Sequence, residues 1–469
     1  MNTLNSPVSS ETEACLDCHS VVTPGIVEDW SSGIHARITP AESLAKSDLE
    51  KKVSSPKVPE ELKNKIVGCY ECHSLNTAKH ADSFDHFDYK INVIVSPSDC
   101  AVCHSDEMEQ FSVSKKAHAL DNLRKNPIYS TLVATITGLK TMDKGKIRES
   151  EGSENAKNES CYACHGTEVK VTGTMTLETD MADLELPVLS NWPNQGVGRI
   201  NPDGSRGACS ACHPRHSFSI EIARKPDTCS QCHLEPDVPA WNVFRESKHG
   251  NIFHSKQTQW NWSRVPWTVG KDFKSPTCAA CHNSLLIDQE GTVIAERSHD
   301  FGARLWIRIF GLIFSHPQPK DGRTYLIKNQ DGLPLPTTFS GKRADGYLIE
   351  KNEQDLRRTQ MEQICTSCHS TLWTRGFFRK FDATTAEADK MVLAATSLLQ
   401  EAWEKGMIDN KNPFDEHLEH IWIEQWLFSA NCLRYASAMS GPDFAGFKYG
   451  WWKLNKTLQE LRFYMNQNH

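Results

Sequence analysis

The cysteines of this sequence are arranged in one repeated pattern. Sixteen of the 17 cysteines fall into copies of Cys-x-x-Cys-His. Composition alone would give roughly 0.03 copies of that pattern, yet eight are present. The paired cysteines are Cys15 and Cys18, Cys69 and Cys72, Cys100 and Cys103, Cys161 and Cys164, Cys209 and Cys212, Cys229 and Cys232, Cys278 and Cys281, and Cys365 and Cys368. The histidines that follow them are His19, His73, His104, His165, His213, His233, His282 and His369.

Each copy is the attachment sequence of a c-type haem. The two thiols form thioethers with the haem vinyl groups, and the adjacent histidine binds the iron as its proximal ligand. Disulfide bonding does not require a histidine after every second cysteine. Structural zinc sites pair two Cys-x-x-Cys units or add a downstream histidine pair. The sequence therefore predicts eight covalent haems, and the remaining Cys432 is predicted to be a buried structural thiol.

Twelve histidines lie outside the motifs and supply candidate second iron ligands. An electron-transfer haem usually takes a second protein ligand, whereas a catalytic haem leaves that position open. The four best candidates for distal ligands are His35, His118, His249 and His299. The next candidates are His216, His316 and one of His80 or His86, and of these last two we choose His86. His417, His420 and His469 are not expected to bind iron. Twelve spare histidines could close all eight irons, so counting alone does not establish an open site.

Charge and hydropathy exclude two classes of partner. The 469 residues include 52 basic and 59 acidic side chains, a net charge of -7, without a basic tail or patch, so nucleic acid is not expected to bind. No run of eighteen apolar residues occurs, so no membrane span is predicted. Covalent haem attachment takes place outside the cytoplasm. Residues 1–14 form a short, polar segment. A periplasmic or otherwise extracytoplasmic protein whose signal peptide has been removed is therefore expected.

The spacing of the motifs predicts the elements that position them. The expected fold is mainly α with little sheet, because porphyrins serve as core for the peptide around them. Three modules are predicted: residues 1–139 with three haems, residues 140–380 with five haems, and residues 381–469 as a haem-free helical bundle. The charged segment 140–160 is predicted to be a loop or linker. Alternating Thr and Val in segment 167–207 favour a small hairpin.

The tail carries the pattern of three amphipathic helices. One covers Thr384 to Lys405 and ends at Gly406, and a second starts at Pro413 and runs toward Met439. A third follows Gly450. The bundle is expected to pack on the haem body and to support subunit assembly.

Several segments are similar to a known family. They are CHGTEV at the fourth site, GRINPDGSRGACSACHPRHSF at the fifth, ARKPDTCSQCHLEPDVP at the sixth and GPDFAGFKYGWW in the tail. With the eight motifs and the helical tail, the chain resembles the octahaem hydroxylamine oxidoreductases over essentially its whole length. Sites four to eight are also similar in layout to pentahaem cytochrome c nitrite reductases, in which the first haem is catalytic. The resemblance implies a homotrimer in which the haem on Cys161, Cys164 and His165 is catalytic and the other seven have two histidine ligands.

Two departures from the family pattern bear on the direction of catalysis. In members that oxidise hydroxylamine, a tail tyrosine bonds to the catalytic haem of a neighbouring subunit. The aligned residue here is Phe444, which has no phenol oxygen, and Tyr449 is the only tyrosine close by. Oxidising members also have an Asp-His pair after the sixth motif, where this chain has Asp237 and Val238. The missing base would then come from elsewhere, and His254 is the candidate.

These departures favour reduction over oxidation. The predicted function is reduction of nitrite or hydroxylamine to ammonium at the fourth haem, with Asp237 or His254 supplying protons and seven haems carrying electrons. Electrons would come from a redox partner protein or a quinol-linked cytochrome. Oxidation of hydroxylamine or hydrazine at the same site is the first alternative. An electron-transfer cytochrome without its own substrate is the second.

Overall fold

The structure is mainly α-helical, as the sequence predicts. The computed structural model describes residues 7–310 and 313–467. Helices before the fourth motif are Ser10–Val22, Pro24–Ser32, Pro40–Leu44, Glu60–Lys63, Cys69–His73, Pro97–Cys100, Ser105–Ser112, Ala119–Arg124, Pro127–Thr137 and Glu154–Glu159. Helices of the middle of the chain are Cys161–His165, Ile220–Arg224, Pro226–Ser230, Ala240–Glu246, Lys248–Lys256, Cys278–His282 and Lys351–Thr366. Single 3-10 turns are Cys209–Ala211, Gln257–Gln259, Thr324–Leu326 and Asp345–Tyr347.

Three of the motifs are separate one-turn helices. Cys69–His73, Cys161–His165 and Cys278–His282 each begin at the first cysteine and end at the histidine. Residues three and four positions apart share one face of a helix. One turn therefore presents both thiols and the imidazole to the same porphyrin, and no longer helix is needed.

The sheets are small, with two or three short strands each. Antiparallel hairpins are Ser83–His86 with Tyr89–Asn92, Leu139–Asp143 with Lys146–Ser150, and Lys170–Leu177 with Leu184–Ser190. Trp267–Thr268, Leu286–Ile287 and Val293–Ala295 form a three-stranded sheet, and Ile307–Arg308 pairs with His316–Pro317. The hairpin predicted within 167–207 is confirmed.

The prediction of a loop over 140–160 is wrong. The segment forms the exposed hairpin Leu139–Asp143 and Lys146–Ser150, followed by the helix Glu154–Glu159. Lys144 and Gly145 both have positive φ, at 50° and 78°, which is the backbone of a tight two-residue hairpin turn. The strands are almost wholly exposed, so they carry none of the apolar alternation by which a strand is recognised in sequence.

The tail forms the predicted bundle. Its first helix, Thr371–Glu404, begins earlier than predicted, and Gly406 with a φ of 67° follows its end. The second begins at His417 rather than at Pro413, and runs through the π-helical segment Glu424–Ala430 to Met439. A further π-helical segment, Phe444–Lys448, precedes the last helix, Trp451–Gln467.

The largest apolar core lies between these tail helices. Its buried members include Val392, Leu399, Trp422, Leu454 and Leu461. The division into three modules stays a prediction, and Thr371–Glu404 runs across its second boundary. Within the described residues, no helix is both long and apolar enough to cross a membrane.

Candidate functional site: a chain of haem attachment sites

Four motif histidines face a second histidine across a gap. The ring centres are 6.1 Å apart for His19 and His86, 6.2 Å for His104 and His35, 6.5 Å for His213 and His299, and 6.0 Å for His369 and His249. Metal–nitrogen bonds of about 2 Å on both sides of an iron place two imidazole centres about 6 Å apart. The four pairs therefore fit irons that are held by two histidines each.

Motif histidines are also oriented for iron binding. The Nδ1 atom of His73 donates to the carbonyl of Asn92 at 2.7 Å, and that of His165 donates to the carbonyl of Ala119 at 3.3 Å. A carbonyl only accepts, so Nδ1 carries the proton and Nε2 keeps its lone pair. A hydrogen bond of this kind fixes the tautomer and the ring orientation of a histidine that binds a metal.

His216 is the candidate partner of His73 at the second site, and the hydrogen bonds of His80 show whether it or His86 can bind an iron. Burial and the neighbouring His73 lower the pKa of His216, which places these two rings near each other. Burial opposes charge on His80, but hydrogen bonds to Asp82 and Asp99 outweigh it and raise its pKa to about 10. Both nitrogens of His80 are thus engaged by carboxylates, which leaves none for an iron. This placement favours His86 as the ligand.

Cysteines of different motifs lie side by side. A thiol–thiol hydrogen bond is the first cause of the shifted pKa values in three pairs: Cys100 with Cys209, Cys164 with Cys232, and Cys229 with Cys278. For four other cysteines, burial is the largest cause of a raised pKa, and a cysteine of an adjacent site raises the pKa further. The affected cysteines and their neighbours are Cys69 with Cys15, Cys72 with Cys103, Cys212 with Cys229, and Cys365 with Cys281. In space the sites follow the order one, two, three, five, six, seven, eight, with site four beside site six.

One cavity joins six of these sites. Its volume is about 1980 Å³, and the cysteines and histidines of sites three to eight line it. His35, His249 and His299 line it as well. Sites three to eight therefore share one continuous space in which cofactors of neighbouring motifs can lie close to one another.

The fourth site is held in place by close backbone packing. Gly166 follows the motif with a φ of 99°, and a Cβ atom there would collide with the backbone of Arg199. The amide of Val197 donates to the carbonyl of Cys164 at 3.0 Å. The motif is thereby fixed against the segment 196–199, and a side chain at position 166 would break that contact.

The surroundings of the fourth site differ from those of the four histidine pairs. Among the described residues, no histidine ring pairs with His165 in the way His86 pairs with His19. Arg308, Tyr435 and Asp237 line the cavity near it instead. Burial lowers the pKa of His165 to about 4, and the charges of Lys116 and then Arg308 are lesser causes in the same direction. The pKa of Tyr435 is raised, and burial is the largest cause. The charge of Arg308 opposes this increase, and the charge of Asp237 adds to it.

Asp237, the predicted proton donor, lines the same cavity as the cysteines of this site. Burial raises the pKa of the Cys161 thiol, and the charge of Asp237 adds to the effect. The charge of Asp237 also raises the pKa of Cys164, where the contact with Cys232 and burial are larger causes. Burial raises the pKa of Asp237 itself, so this carboxyl keeps its proton at higher pH than an ordinary aspartate does.

Three predicted histidines are placed elsewhere. His254 is exposed on Lys248–Lys256, where its ring contacts Trp241 and Phe253, so the structure does not bring this candidate base to the cavity. His118 precedes Ala119–Arg124, and its buried Nδ1 atom has no partner within the described residues. The Nδ1 atom of His316 donates to the carbonyl of Pro317 at 2.7 Å, and its Nε2 atom is buried without a partner in the described chain.

Phe444 is enclosed within its own chain. Its side chain is 1% exposed and packs in its own chain with Val243, Cys432 and Ala436. The ring is therefore not exposed on the surface of its own chain. The same cluster confirms that Cys432 is a buried structural thiol, since its sulfur donates to the carbonyl of Phe444 at 3.7 Å.

Arg308 and Tyr435 were not predicted from sequence. Neither lies in a motif, and they come from a two-residue strand and a tail helix that are far apart along the chain. A basic residue within an otherwise apolar stretch, 305–310, was the one signal in the sequence that pointed to Arg308.

Two family models match parts of the chain. Residues 195–294 match the model described as "Seven times multi-haem cytochrome CxxCH", and residues 99–185 match "Cytochrome c554 and c-prime". A curated relative, the probable nitrite reductase-hydroxylamine oxidoreductase fusion protein of Kuenenia stuttgartiensis, is 22% identical over 425 residues. That alignment covers 86% of this chain and 39% of the relative, so the chain spans about two fifths of the fusion protein's length.

Two solved structures share the fold over nearly the whole chain. A "hypothetical multiheme protein" is 44% identical, with a TM-score of 0.93 and coverage of 99% of this chain and 96% of the other. A chain of the reducing HAO-like protein complex of Kuenenia stuttgartiensis is 16% identical, with a TM-score of 0.63 and coverage of 97% and 85%. The fold described above is therefore shared with these two proteins of known structure.

Proposed function

Because the chain belongs to a family of multihaem cytochromes c, we propose that it is a hydroxylamine oxidoreductase-like member that reduces nitrite, hydroxylamine or both to ammonium at the fourth site. The curated relative is named for nitrite reduction and hydroxylamine oxidation, and one structural relative is named as reducing. These names support the substrate class.

The observation that carries the proposal is the contrast between site four and the histidine pairs. At four sites a second imidazole stands opposite the motif histidine at 6.0–6.5 Å. No imidazole is paired with His165 in this way among the described residues, and the cavity that it lines also carries the guanidinium of Arg308, the phenol of Tyr435 and the carboxyl of Asp237. A site lined by such groups suits a small polar substrate, whereas a second imidazole would exclude it.

Three side chains are assigned roles toward the substrate. Arg308 carries a permanent positive charge and a planar fork of donors, which suits an oxyanion such as nitrite. Asp237, whose pKa burial raises, is the acid that donates protons as oxygen is removed as water. Tyr435 keeps its phenol proton because burial raises its pKa, so it can donate a hydrogen bond to the substrate. His316 has the same arrangement as the motif histidines that are oriented for iron binding, with Nδ1 bonded to a carbonyl and Nε2 unpartnered in the described chain, so it stays a candidate iron ligand.

A haem held by Cys161, Cys164 and His165 would supply the iron that takes the substrate and the electrons for reduction. The other sites form the route for those electrons, since cysteines of successive sites lie side by side. Cys18 and Cys368, in the first and last sites of that order, are the exposed motif cysteines of the described chain. We propose that a redox partner delivers electrons at one of these ends. Eight haems, a homotrimer and an extracytoplasmic location complete the proposal.

Ligand binding to the reduced protein tests the proposal against an electron-transfer role. Magnetic spectroscopy of the resting protein should show one high-spin haem among low-spin haems. Nitrite or hydroxylamine added to the reduced protein should perturb that haem alone and be consumed. A protein whose haems are all low-spin and unresponsive to both compounds would be an electron-transfer cytochrome instead.

A further inference from the structure

A short segment that presents a distal histidine occurs twice in the chain. In both copies an aromatic residue is followed by a small residue three positions on and by a histidine five positions on. The copies are Trp30, Gly33 and His35, and Phe244, Ser247 and His249. Their histidines face His104 and His369 at 6.2 Å and 6.0 Å.

A third copy carries lysine where the other two carry histidine. It consists of Phe111, Ser114 and Lys116. In all three copies the helix ends at this point, and the amide of the small residue donates to the carbonyl of the aromatic residue. The distances are 2.8 Å for Gly33 and Trp30, 3.0 Å for Ser247 and Phe244, and 3.0 Å for Ser114 and Phe111. The aromatic side chains are all buried. Lys116 therefore occupies the backbone position of a distal ligand.

The side chain of Lys116 also points at a motif histidine. Its Nζ atom lies 2.8 Å from Nε2 of His233, the atom that binds iron in a c-type site. In the described part of the chain, no carboxylate lies within 4.0 Å of this nitrogen. A lysine that served as a surface charge would be expected to reach water or an acid. Lys115, next to it, turns away and donates to Oε1 of Gln318 at 2.8 Å.

We propose that the amine of Lys116 is the second axial ligand of the haem attached to Cys229 and Cys232. The neutral amine donates its lone pair to the iron opposite His233, and the proton it loses passes to solvent when the haem is inserted. His118, which the sequence favours as a ligand, then has no iron to bind at this site. The inference depends on haem attachment at site six and not on the direction of catalysis.

The proposed ligand belongs to site six, which is the site in the series that also adjoins site four. Cys232 contacts Cys164 of the fourth site, so the haem at site six is the neighbour that passes electrons to the reactive haem. An amine and an imidazole donate differently to iron, and axial ligands are a principal control of haem reduction potential. The haem at site six should therefore differ in reduction potential from its bis-histidine neighbours.

Low-temperature near-infrared magnetic circular dichroism of the oxidised holoprotein tests the ligand directly. Histidine–lysine haems absorb at shorter wavelength in this region than bis-histidine haems do. The wild-type protein should show one haem of the first kind. Lys116→His, which restores the histidine of the other two segments, should move that band to the bis-histidine position with the haem content unchanged. The matched control, Lys115→Ala, should leave it in place.

Two results would overturn the proposal. One is a wild-type spectrum without a histidine–lysine band. The other is loss of a low-spin haem in His118→Ala together with an unchanged spectrum in Lys116→His. If a Lys116 variant fails to fold, the wild-type spectrum and the His118→Ala protein still decide the question.

Discussion

Arg308 and His316 are direct cross-strand neighbours in the antiparallel pair Ile307–Arg308 and His316–Pro317. The pairing fixes the backbone of Arg308 at the cavity wall, close enough for its charge to lower the pKa of both His165 and Tyr435 after burial is counted. Burial first, and then Arg308, lowers the pKa of His316 to about 3, so its ring is neutral. Arg308 thus places a permanent positive charge at the fourth site.

Replacing that cation should weaken binding of an anionic substrate. We expect Arg308→Gln to raise KM for nitrite by about tenfold to a hundredfold, because a charged hydrogen bond contributes about 1.5–3 kcal/mol. Hydroxylamine is neutral, so its KM should rise less. Steady-state kinetics with both substrates measures the difference. The matched control is Arg323→Gln, which removes an exposed arginine paired with Asp321. Equal losses for nitrite and hydroxylamine would remove Arg308 from anion binding.

The acid at the site should give the reaction a pH limit. Burial raises the pKa of Asp237, so its protonated form is available below that pKa and is lost as pH rises through it. Wild-type kcat for nitrite should therefore fall on the alkaline side. Asp237→Asn should lower kcat by roughly a hundredfold or more and abolish that limb. Asp227→Asn, at an exposed position on a neighbouring helix, is the charge-matched control. A variant that keeps the wild-type pH profile would exclude Asp237 as the acid.

Two histidines near the first and second sites should respond in opposite ways. His86→Ala removes the ring that faces His19 at 6.1 Å, so electron paramagnetic resonance should show one additional high-spin haem. His80→Gln should leave every haem low-spin that is low-spin in the wild type, since His80 bonds to Asp82 and Asp99. It should lower the unfolding midpoint instead, because two buried carboxylates lose their cation. A new high-spin signal in the His80 variant alone would reverse the assignment.

The chain should carry no bond between haem and tyrosine. We expect an intact mass equal to the polypeptide plus eight haems, and monomers on denaturing gels. Phe444→Tyr should not create a covalent oligomer, because position 444 is enclosed by Val243, Cys432 and Ala436 of the same chain. A covalent trimer in the wild type, traced to Tyr449 or another tyrosine, would contradict both the alignment and the reductive assignment.

The sequence was most informative where the chemistry is local. Each motif places its two thiols and its imidazole within one helical turn, so haem attachment could be predicted without tertiary structure. The tail helices were predicted well because apolar side chains such as Val392, Leu399 and Leu454 repeat at helical spacing. The histidine pairs were harder, since His86 and His80 are six positions apart and only the fold shows which one reaches an iron.

Long-range assembly was out of reach of the sequence. Arg308 and Tyr435 meet at the fourth site because a short strand and a tail helix pack there, and no local pattern encodes that meeting. His254 looked equivalent to Asp237 by its position near the sixth motif, yet its helix turns it to solvent. Lys116 could have been found by comparing the segments around His35 and His249.

The direction of catalysis is tested most directly by comparing both reactions in one preparation. Nitrite consumption and ammonium formation are measured with a reduced dye as electron donor, and hydroxylamine consumption is measured with an oxidised acceptor at the same pH. The account predicts ammonium as the product of nitrite, with a kcat/KM for reduction at least about tenfold above that for oxidation, a difference of about 1.4 kcal/mol in transition-state free energy. Hydroxylamine oxidation that outruns nitrite and hydroxylamine reduction would contradict it.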